Sequence, residues 1–409
     1  MAVVLPFNGL VPPADKAAKV AAVPYDVVST EEAAKLAEGN MLSFLRVSRP
    51  EIELDKSIDV HDDSVYAKAG ENFKRLCNEA PLTLDAEKHL YIYSQQMGKH
   101  LQIGIVGAVS VDEYDKNIIK KHEKTRKDKE DDRTRHVMTT RSHTGPAFLT
   151  YKDLPEIDAI VDSEVKKSPL FDVTAEDGIR HLVWRVDAAA SLTLSGLFEK
   201  IPYTYIADGH HRSAAASRAA AECKKANPAH TGKEDYNFFL AVIFPASQLS
   251  ILPYNRCVHD FNSLGPCDFF EKIKEKFSVS ETSNPSPEKS GEFCMYIDKK
   301  WYLLKPRFDI KTLGVIERLD VSVLQDNILA PLLGIDDPRT SKRIDFIGGI
   351  RGTGELEMLV NTGKGAVAFS MYPTTMQQLM DIADAGEIMP PKSTWFEPKL
   401  RDGFVSHNF

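Results

Sequence analysis

Apolar residues recur along this chain in two rhythms, and those rhythms predict strands and helices in alternation. Tyr66, Ala69, Phe73 and Leu76 fall on one face at helical spacing, which predicts a helix over Asp63 to Leu76. His89 to Gln96 and Leu101 to Val109 are aromatic and β-branched runs, and Met97-Gly98-Lys99-His100 between them suits a hairpin loop. Nearer the start, Val3 to Leu10 reads as a short strand ending in a turn. Val23 to Val28 reads as extended, because a residue before proline is pushed out of the helical region. Ser29 caps a helix that runs to Glu38 and stops at Gly39-Asn40, and Ser43 to Ser48 reads as a strand. Polar groups in this stretch (Tyr25, Asp26, Asn40, Arg46, Ser48, Arg49) are candidates to line a cleft.

The middle of the chain continues the alternation. Pro146 to Tyr151 and His181 to Val186 read as strands, Ile157 to Lys167 as a helix, and Phe238 to Phe244 as a strand. Residues 280–292 are rich in serine and proline and form the best linker candidate. Beyond them come strands near 294–304, a helix from Ser322 to Leu333 and a glycine-rich turn from Ile347 to Gly354. A strand from Val367 to Met371 and a helix from Met376 to Ala385 follow. The sum is an α/β chain of the α+β kind.

Against this background one junction concentrates chemistry. Tyr203 to Ala207 is a short strand, Asp208-Gly209 is a turn signal, and Ser213 to Glu222 is an alanine-rich helix. Between strand and helix stand His210, His211 and Arg212. A helix start offers unpaired N–H groups and partial positive charge, which suit an anion. Gly209 lets the backbone come close, and Asp208 adds a metal ligand or proton acceptor. A phosphate or carboxylate site is expected here.

Two further stretches carry candidate groups. Residues 118–136 are nearly all charged, and most of that run is expected to be a solvated loop or exposed helix. His122, Glu123, Lys124, Thr125, Asp132 and Arg133 within it supply a base, cations and metal ligands. His122-Glu123 does not begin a zinc-protease helix, since position 126 is Arg126. Near the C-terminus, Met389-Pro390-Pro391-Lys392-Ser393-Thr394 sets a cation beside two hydroxyls between stiffening prolines, a combination that suits phosphate.

Composition narrows the class. The chain has 409 residues, 43% hydrophobic and 27% charged, a globular balance with room for two or three domains. No apolar run approaches the length of a membrane span and the N-terminus shows no charged-then-apolar signal pattern, so a cytoplasmic protein without a membrane partner is expected. A net charge of −8 argues against phosphate-led nucleic-acid binding and makes small molecules the expected partners. The five cysteines are scattered, which fits reduced thiols better than disulfides or zinc.

Taken in order, these stretches resemble a widespread, largely uncharacterised microbial family over the whole length. The resemblance rests on Pro6 to Leu10, Pro24 to Val27, Ser48 to Glu51, His122 to Thr125, Asp132-Arg133, Asp208 to Arg212, Leu319 to Leu324 and Pro390 to Thr394. That family is in turn similar to the smaller free L-serine kinases, which have a ParB/sulfiredoxin-like fold. Three segments carry this link: His122-Glu123, Asp208 to Arg212, and Pro391 to Thr394. The chain is longer than those kinases between the first two segments, and its first hundred residues have no counterpart there.

The resemblance implies a ParB/sulfiredoxin-like catalytic core with a mixed sheet over residues 111–265. It implies an N-terminal α/β region over 1–110 and a C-terminal α/β region over 266–409 that completes the active site. It implies phosphoryl transfer to the hydroxyl of free L-serine. Glu123 would be the catalytic base and Asp208 a proton acceptor or Mg²⁺ ligand. Gly209, His210, His211, Arg212, Lys392, Ser393 and Thr394 would hold phosphate. His122, Lys124, Thr125, Asp132 and Arg133 are secondary candidates. Pyrophosphate is expected as donor ahead of ADP or ATP, because there is no Gly-x-x-x-x-Gly-Lys-Ser/Thr loop and no segment that would clamp a base.

Other classes predict other features. A ParB-like regulator that binds DNA or nucleotide would bring a helix-turn-helix and a basic face. A sulfiredoxin-like repair enzyme needs a cysteine where His210 stands. A non-catalytic protein that binds a phosphorylated metabolite would keep its affinity without Glu123.

Overall fold

The most apolar runs of the first half become the inner strands of one mixed sheet of nine strands. Its order is Ile119–Lys120, Thr204–Asp208, Ala147–Tyr151, Phe238–Pro245, His100–Ser110, Tyr91–Met97, Arg180–Arg185 and Phe171–Thr174, with Val4–Leu5 pairing separately onto His100–Ser110. Phe238–Pro245 runs parallel to Ala147–Tyr151, and Thr204–Asp208 runs parallel to Ile119–Lys120; the other pairings are antiparallel. Phe239 to Pro245 is buried residue after residue, as a strand covered on both faces must be. Leu149, Ile206, Ala241 and Ile243 join Leu194, Phe198 and Ala216 in the main core. The chain is thus α+β.

The computed structural model describes all 409 residues. They fall into two units, Met1–Leu249 with Pro398–Phe409, and Ser250–Glu397. Strands from 1–110 and from 111–265 interleave in the same sheet, so no border separates those stretches at 110. The last residues also leave the expected C-terminal region: Ser406–Asn408 pairs with Gly9–Val11 and with Ser142–His143.

Helices of the first unit correct three expectations. Within Val23 to Val28, read as extended, Tyr25–Val27 is a turn of 3-10 helix, while its neighbours Pro24 and Val28 are extended. Ser43 to Ser48 is not a strand; Leu45–Ser48 is helical. Phe44, Leu45 and Val47 bury into a small cluster with Ala33, Phe73 and Leu76. A short apolar run is decided by such packing, since its pattern alone does not separate helix from strand. The charged run forms the helix Lys127–Thr140, but Asp132, Thr134, His136 and Thr140 are buried. It packs against both Asp63–Glu79 and His210–Ala226, so one face of the run is interior. The capping box at Ser29 and Glu32 is present as expected.

The second unit is built on a six-stranded antiparallel sheet. Its order is Phe277–Glu281, Lys300–Pro306, Phe293–Ile297, Val367–Met371, Tyr254–Val258 and Ile344–Gly348. Residues 280–292 connect two of its strands and are a loop within the unit, not a linker. The helix expected from Ser322 to Leu333 is an α-helix, Asp320–Leu324, continued by π-helical Gln325–Leu329. The glycine-rich segment gives the end of a strand and then the helix Gly352–Asn361. All five cysteines are free thiols, and no helix is long and apolar enough to cross a membrane.

Candidate functional site

Strand Thr204–Asp208 passes into helix His210–Ala226 through one residue, Gly209. Its φ of +92° lies in the left-handed region that favours glycine. A side chain there would also meet Arg212, whose Nε lies 3.0 Å from where a Cβ would stand. Pairing with Ala147–Tyr151 shifts register between Ile206 and Asp208, an irregularity of the kind that re-aims a side chain. The Gly209 N–H then donates to Asp208 Oδ1 at 2.7 Å.

Asp208 is the hub of the charges that gather at this turn. Lys399 Nζ donates to its Oδ2 at 2.9 Å, and Arg212 lies 3.7 Å from its Oδ1. Burial opposes ionisation, but Lys399 and Arg212 outweigh it and hold the carboxyl well below the usual carboxylate range. Arg212 in turn lies 3.9 Å from Asp26 and donates to the carbonyl of Pro146. Burial disfavours its charge, yet Asp26, Asp208 and Asp402 keep it more firmly protonated than a free guanidinium. Asp402 is buried at 3% exposure. Removal from water raises its carboxyl to about 7, with Arg212 pulling the other way.

The histidines of the turn are neutral acceptors. The backbone N–H of His122 donates to His210 Nε2 at 3.5 Å, and that of Arg126 donates to His211 Nε2 at 3.1 Å. A ring that accepts at Nε2 carries its proton on Nδ1. Burial holds both rings below the ordinary histidine range, and His122, stacked edge-on to His210 at 4.5 Å, is lowered by burial to about 4. Positive charge at the turn therefore comes from Arg212 and Lys399. His210 Nδ1 faces Glu123 Oε2 at 3.8 Å, and the Glu123 side chain is half exposed. The structure so brings Glu123, Asp208, Gly209, His210, His211 and Arg212 together.

The secondary candidates divide. His122 backs His210, as above. Lys124 is exposed, and Thr125 donates to Glu130. Asp132 and Arg133 face inward: Arg133 pairs with Asp132 at 2.8 Å and lies 4.0 Å over the Tyr25 ring, while Tyr66 donates to Asp132 at 2.8 Å. Tyr25, Ser48, Arg133, Thr144, Arg212 and Asp402 line a small, partly open pocket of about 30 Å³, room for a water molecule or two. Arg212 Nε and Asp402 Oδ1 are buried without hydrogen-bond partners. Of the N-terminal cleft candidates, Tyr25 and Ser48 line this pocket and Asp26 faces Arg212. Arg46 pairs with Glu53, Arg49 pairs with Glu51, and Asn40 binds the carbonyl of Lys19.

Lys392, Ser393 and Thr394 belong to the second unit. Lys392 has a φ of +58° and its carbonyl accepts from Arg256 at 3.2 Å. Ser393 donates its hydroxyl to the Pro390 carbonyl at 2.6 Å, a turn-closing bond, and its own carbonyl accepts from Thr374 at 2.9 Å. Sequence reasoning passed over Lys399 and Asp402, which reach the turn from the C-terminal return. Asp26 it gave only as a cleft candidate. No spacing pattern links any of the three to Asp208, because the sheet brings them there from opposite ends of the chain.

Comparison with known proteins finds the following similarities. A conserved hypothetical protein from Pyrococcus furiosus is similar over 73% of this chain and 93% of its own, at 15% identity and a TM-score of 0.34. A free serine kinase in complex with AMP is similar over 72% of this chain and 86% of its own, also at 15% identity and a TM-score of 0.34. SbnI with a C-terminal truncation, from Staphylococcus aureus, covers 73% of this chain and 85% of its own at 12% identity and a TM-score of 0.37. No curated protein matches the sequence. The family model described as Protein of unknown function (DUF1015) matches residues 4–322, most of the chain, and the chain belongs to that family.

Proposed function

We propose that this protein transfers a phosphoryl group to the hydroxyl of free L-serine, giving O-phospho-L-serine. The observation that carries the reading is the meeting of Glu123 with the Asp208–Arg212 turn through His210, 3.8 Å from the Glu123 carboxylate. The turn has what a phosphoryl donor needs: helix N–H groups, a guanidinium and an ammonium around one carboxylate. The half-exposed Glu123 supplies a proton acceptor reachable from solvent. The motif likeness to free serine kinases supports the choice of acceptor.

Phosphoryl transfer spreads negative charge in its transition state, so alignment and electrostatic stabilisation are the protein's main tasks. Glu123 takes the proton from the serine hydroxyl as the Oγ–P bond forms and the donor's P–O bond breaks. Arg212 and the first N–H groups of the helix hold donor oxygens. His210, neutral and with its proton on Nδ1, turns that N–H toward Glu123 at 3.8 Å, an electrostatic contact longer than a hydrogen bond. Mg²⁺ would shield the donor's charge. It takes few protein ligands, keeping water and phosphate oxygens for the rest, and Asp208, an ionised and partly exposed carboxylate, fits that part. Pyrophosphate is the donor put first, with ADP and ATP next, since the groups at the turn recognise phosphate and metal.

The test is incubation with Mg²⁺ and L-serine, with pyrophosphate, ADP or ATP in separate tubes. Phosphoserine in one tube identifies reaction and donor together. Folded protein that makes none in any tube overturns the proposal. Where activity is found, Glu123→Gln is expected to lower kcat at least a hundredfold with donor affinity retained. Full activity in that variant would move the base elsewhere.

A further inference from the structure

The C-terminal return is built to deliver one ammonium group. Pro398–Phe409 leaves the second unit and is fastened into the first along its length. Gln95 Nε2 donates to the Lys399 carbonyl at 2.8 Å, and Gln102 steadies that glutamine by donating to its Oε1 at 2.9 Å. Both glutamines are fully buried in adjacent strands of the large sheet. Arg401 pairs with Asp177. Ala22 and Asp402 exchange backbone hydrogen bonds at 3.1 and 2.9 Å. Ser406–Asn408 then pairs with Gly9–Val11 and Ser142–His143. Fixed on both sides, Lys399 places Nζ 2.9 Å from Asp208 Oδ2 with its side chain 15% exposed.

An ammonium held only to neutralise Asp208 would repeat what Arg212 does. Lys399 differs in where its partner stands: Asp208 is the last residue of the strand, separated only by Gly209 from the helix start that would face an incoming anion. Lysine is a compact charge with three donors on a flexible stem, so it can move from one oxygen to another without breaking a fixed fork. It lies beyond residues 4–322, where the family model ends, and none of the three motif segments contains it.

We propose that Lys399 is a phosphate ligand of the donor site, held on Asp208 until the donor arrives and then shared with the donor's phosphoryl oxygens. The assignment rests on the phosphoryl-transfer reading above. No covalent bond changes in the exchange: an ammonium–carboxylate pair gives way to an ammonium–phosphate pair.

Binding in the absence of serine tests the assignment apart from turnover. Pyrophosphate and ADP are titrated into the whole protein by calorimetry, with and without Mg²⁺. Lys399→Met is expected to lose at least tenfold in affinity for the bound anion, and Lys399→Arg, which keeps the charge but not the compact ammonium, to lose less than Lys399→Met. Asp208→Asn leaves Lys399 in place with its partner neutralised, and is expected to bind metal-free pyrophosphate more tightly, about tenfold. If Lys399→Met melts as the natural protein does and binds both anions equally well, the assignment is overturned. If it fails to fold, Lys399→Gln, which keeps a polar side chain of similar reach without the charge, decides: binding of both anions as tight as in the natural protein overturns the assignment. A natural protein that makes phosphoserine while Lys399→Met keeps its donor KM refutes Lys399 alone. A natural protein that binds neither anion refutes both readings.

Discussion

The same substitution, glycine to alanine, is expected to act with opposite sign at two helices of the first unit. At Gly209 the native φ is +92°, and a methyl group would stand 3.0 Å from Arg212 Nε and 3.1 Å from its Cζ. Holding a residue with a Cβ in the left-handed region costs about 1–2 kcal/mol. Relaxing the contact moves a guanidinium that Asp26, Asp208 and the Pro146 carbonyl hold from three directions. Together the loss is expected to be about 2–3 kcal/mol. For a unit of this size 1 kcal/mol is worth about 2–4 °C in melting temperature, so Gly209→Ala is expected to melt about 4–12 °C lower.

Gly196 gives the control. It lies in the helix Ala188–Phe198, and a methyl group there would meet nothing within 4 Å. Gly196→Ala removes backbone freedom from the unfolded chain and is expected to stabilise by about 0.5–1 kcal/mol. Calorimetric melting of the two variants beside the natural protein measures both. Because Arg212 must move, Gly209→Ala is also expected to weaken pyrophosphate binding while Gly196→Ala leaves it unchanged. A Gly209→Ala protein that melts at or above the natural temperature would refute the account of the turn.

Two further outcomes follow from buried charge. Asp132→Ala leaves Arg133 in the interior without its carboxylate and is expected to cost about 3–5 kcal/mol, read as a fall in the urea midpoint at pH 7; a midpoint shift worth under 1 kcal/mol would contradict it. Acid is expected to destabilise the first unit below about pH 6.5, where unfolded histidines begin to take up protons. Burial holds His136 and His407 at about 4 and His181 at about 3, so in the fold they stay neutral down to those values. Each contributes stability that is present above pH 6.5 and lost, at roughly 1.4 kcal/mol per pH unit, as pH falls toward its folded value. An unchanged urea midpoint between pH 7 and pH 5 would show that these rings are hydrated.

Strands and helices with a long, clean rhythm were legible in the sequence: the hairpin around Gly98, the helix Asp63–Glu79, the alanine-rich helix after Arg212. Each is fixed by local pattern, and the structure moves only its ends. Phe44 to Ser48 was not legible, since its shape is set by Ala33 and Phe73, which pattern cannot place beside it. The charged run shows the same limit. Its composition describes a surface, yet packing between two helices turns Asp132 and His136 inward, where Tyr66 and the Val47 carbonyl receive them. For the site, the Asp208–Arg212 turn announced itself because strand, glycine and helix start are contiguous. Lys399 did not, because its nearness to Asp208 depends on a chain that leaves the first unit at Leu249 and returns at Pro398.

If the turn takes a polyanion as proposed, that return also reconciles the site with a net charge of −8. Net charge is a sum over the surface, while an anion at the turn meets Arg212 and Lys399 within a few ångströms. Those cations do not stand alone. Asp26, Arg212, Asp208 and Lys399 follow one another with signs alternating, at 3.9, 3.7 and 2.9 Å. Each long basic side chain is therefore already ordered before any donor binds, and its loss of freedom has been met during folding and not at the moment of binding. The carboxylates set the condition for release. A donor must offer more negative charge to each cation than half of a shared carboxylate does, which a diphosphate can and a singly charged metabolite cannot. Under the proposed function, the turn would therefore favour donors by charge before any contact to the rest of the molecule is made.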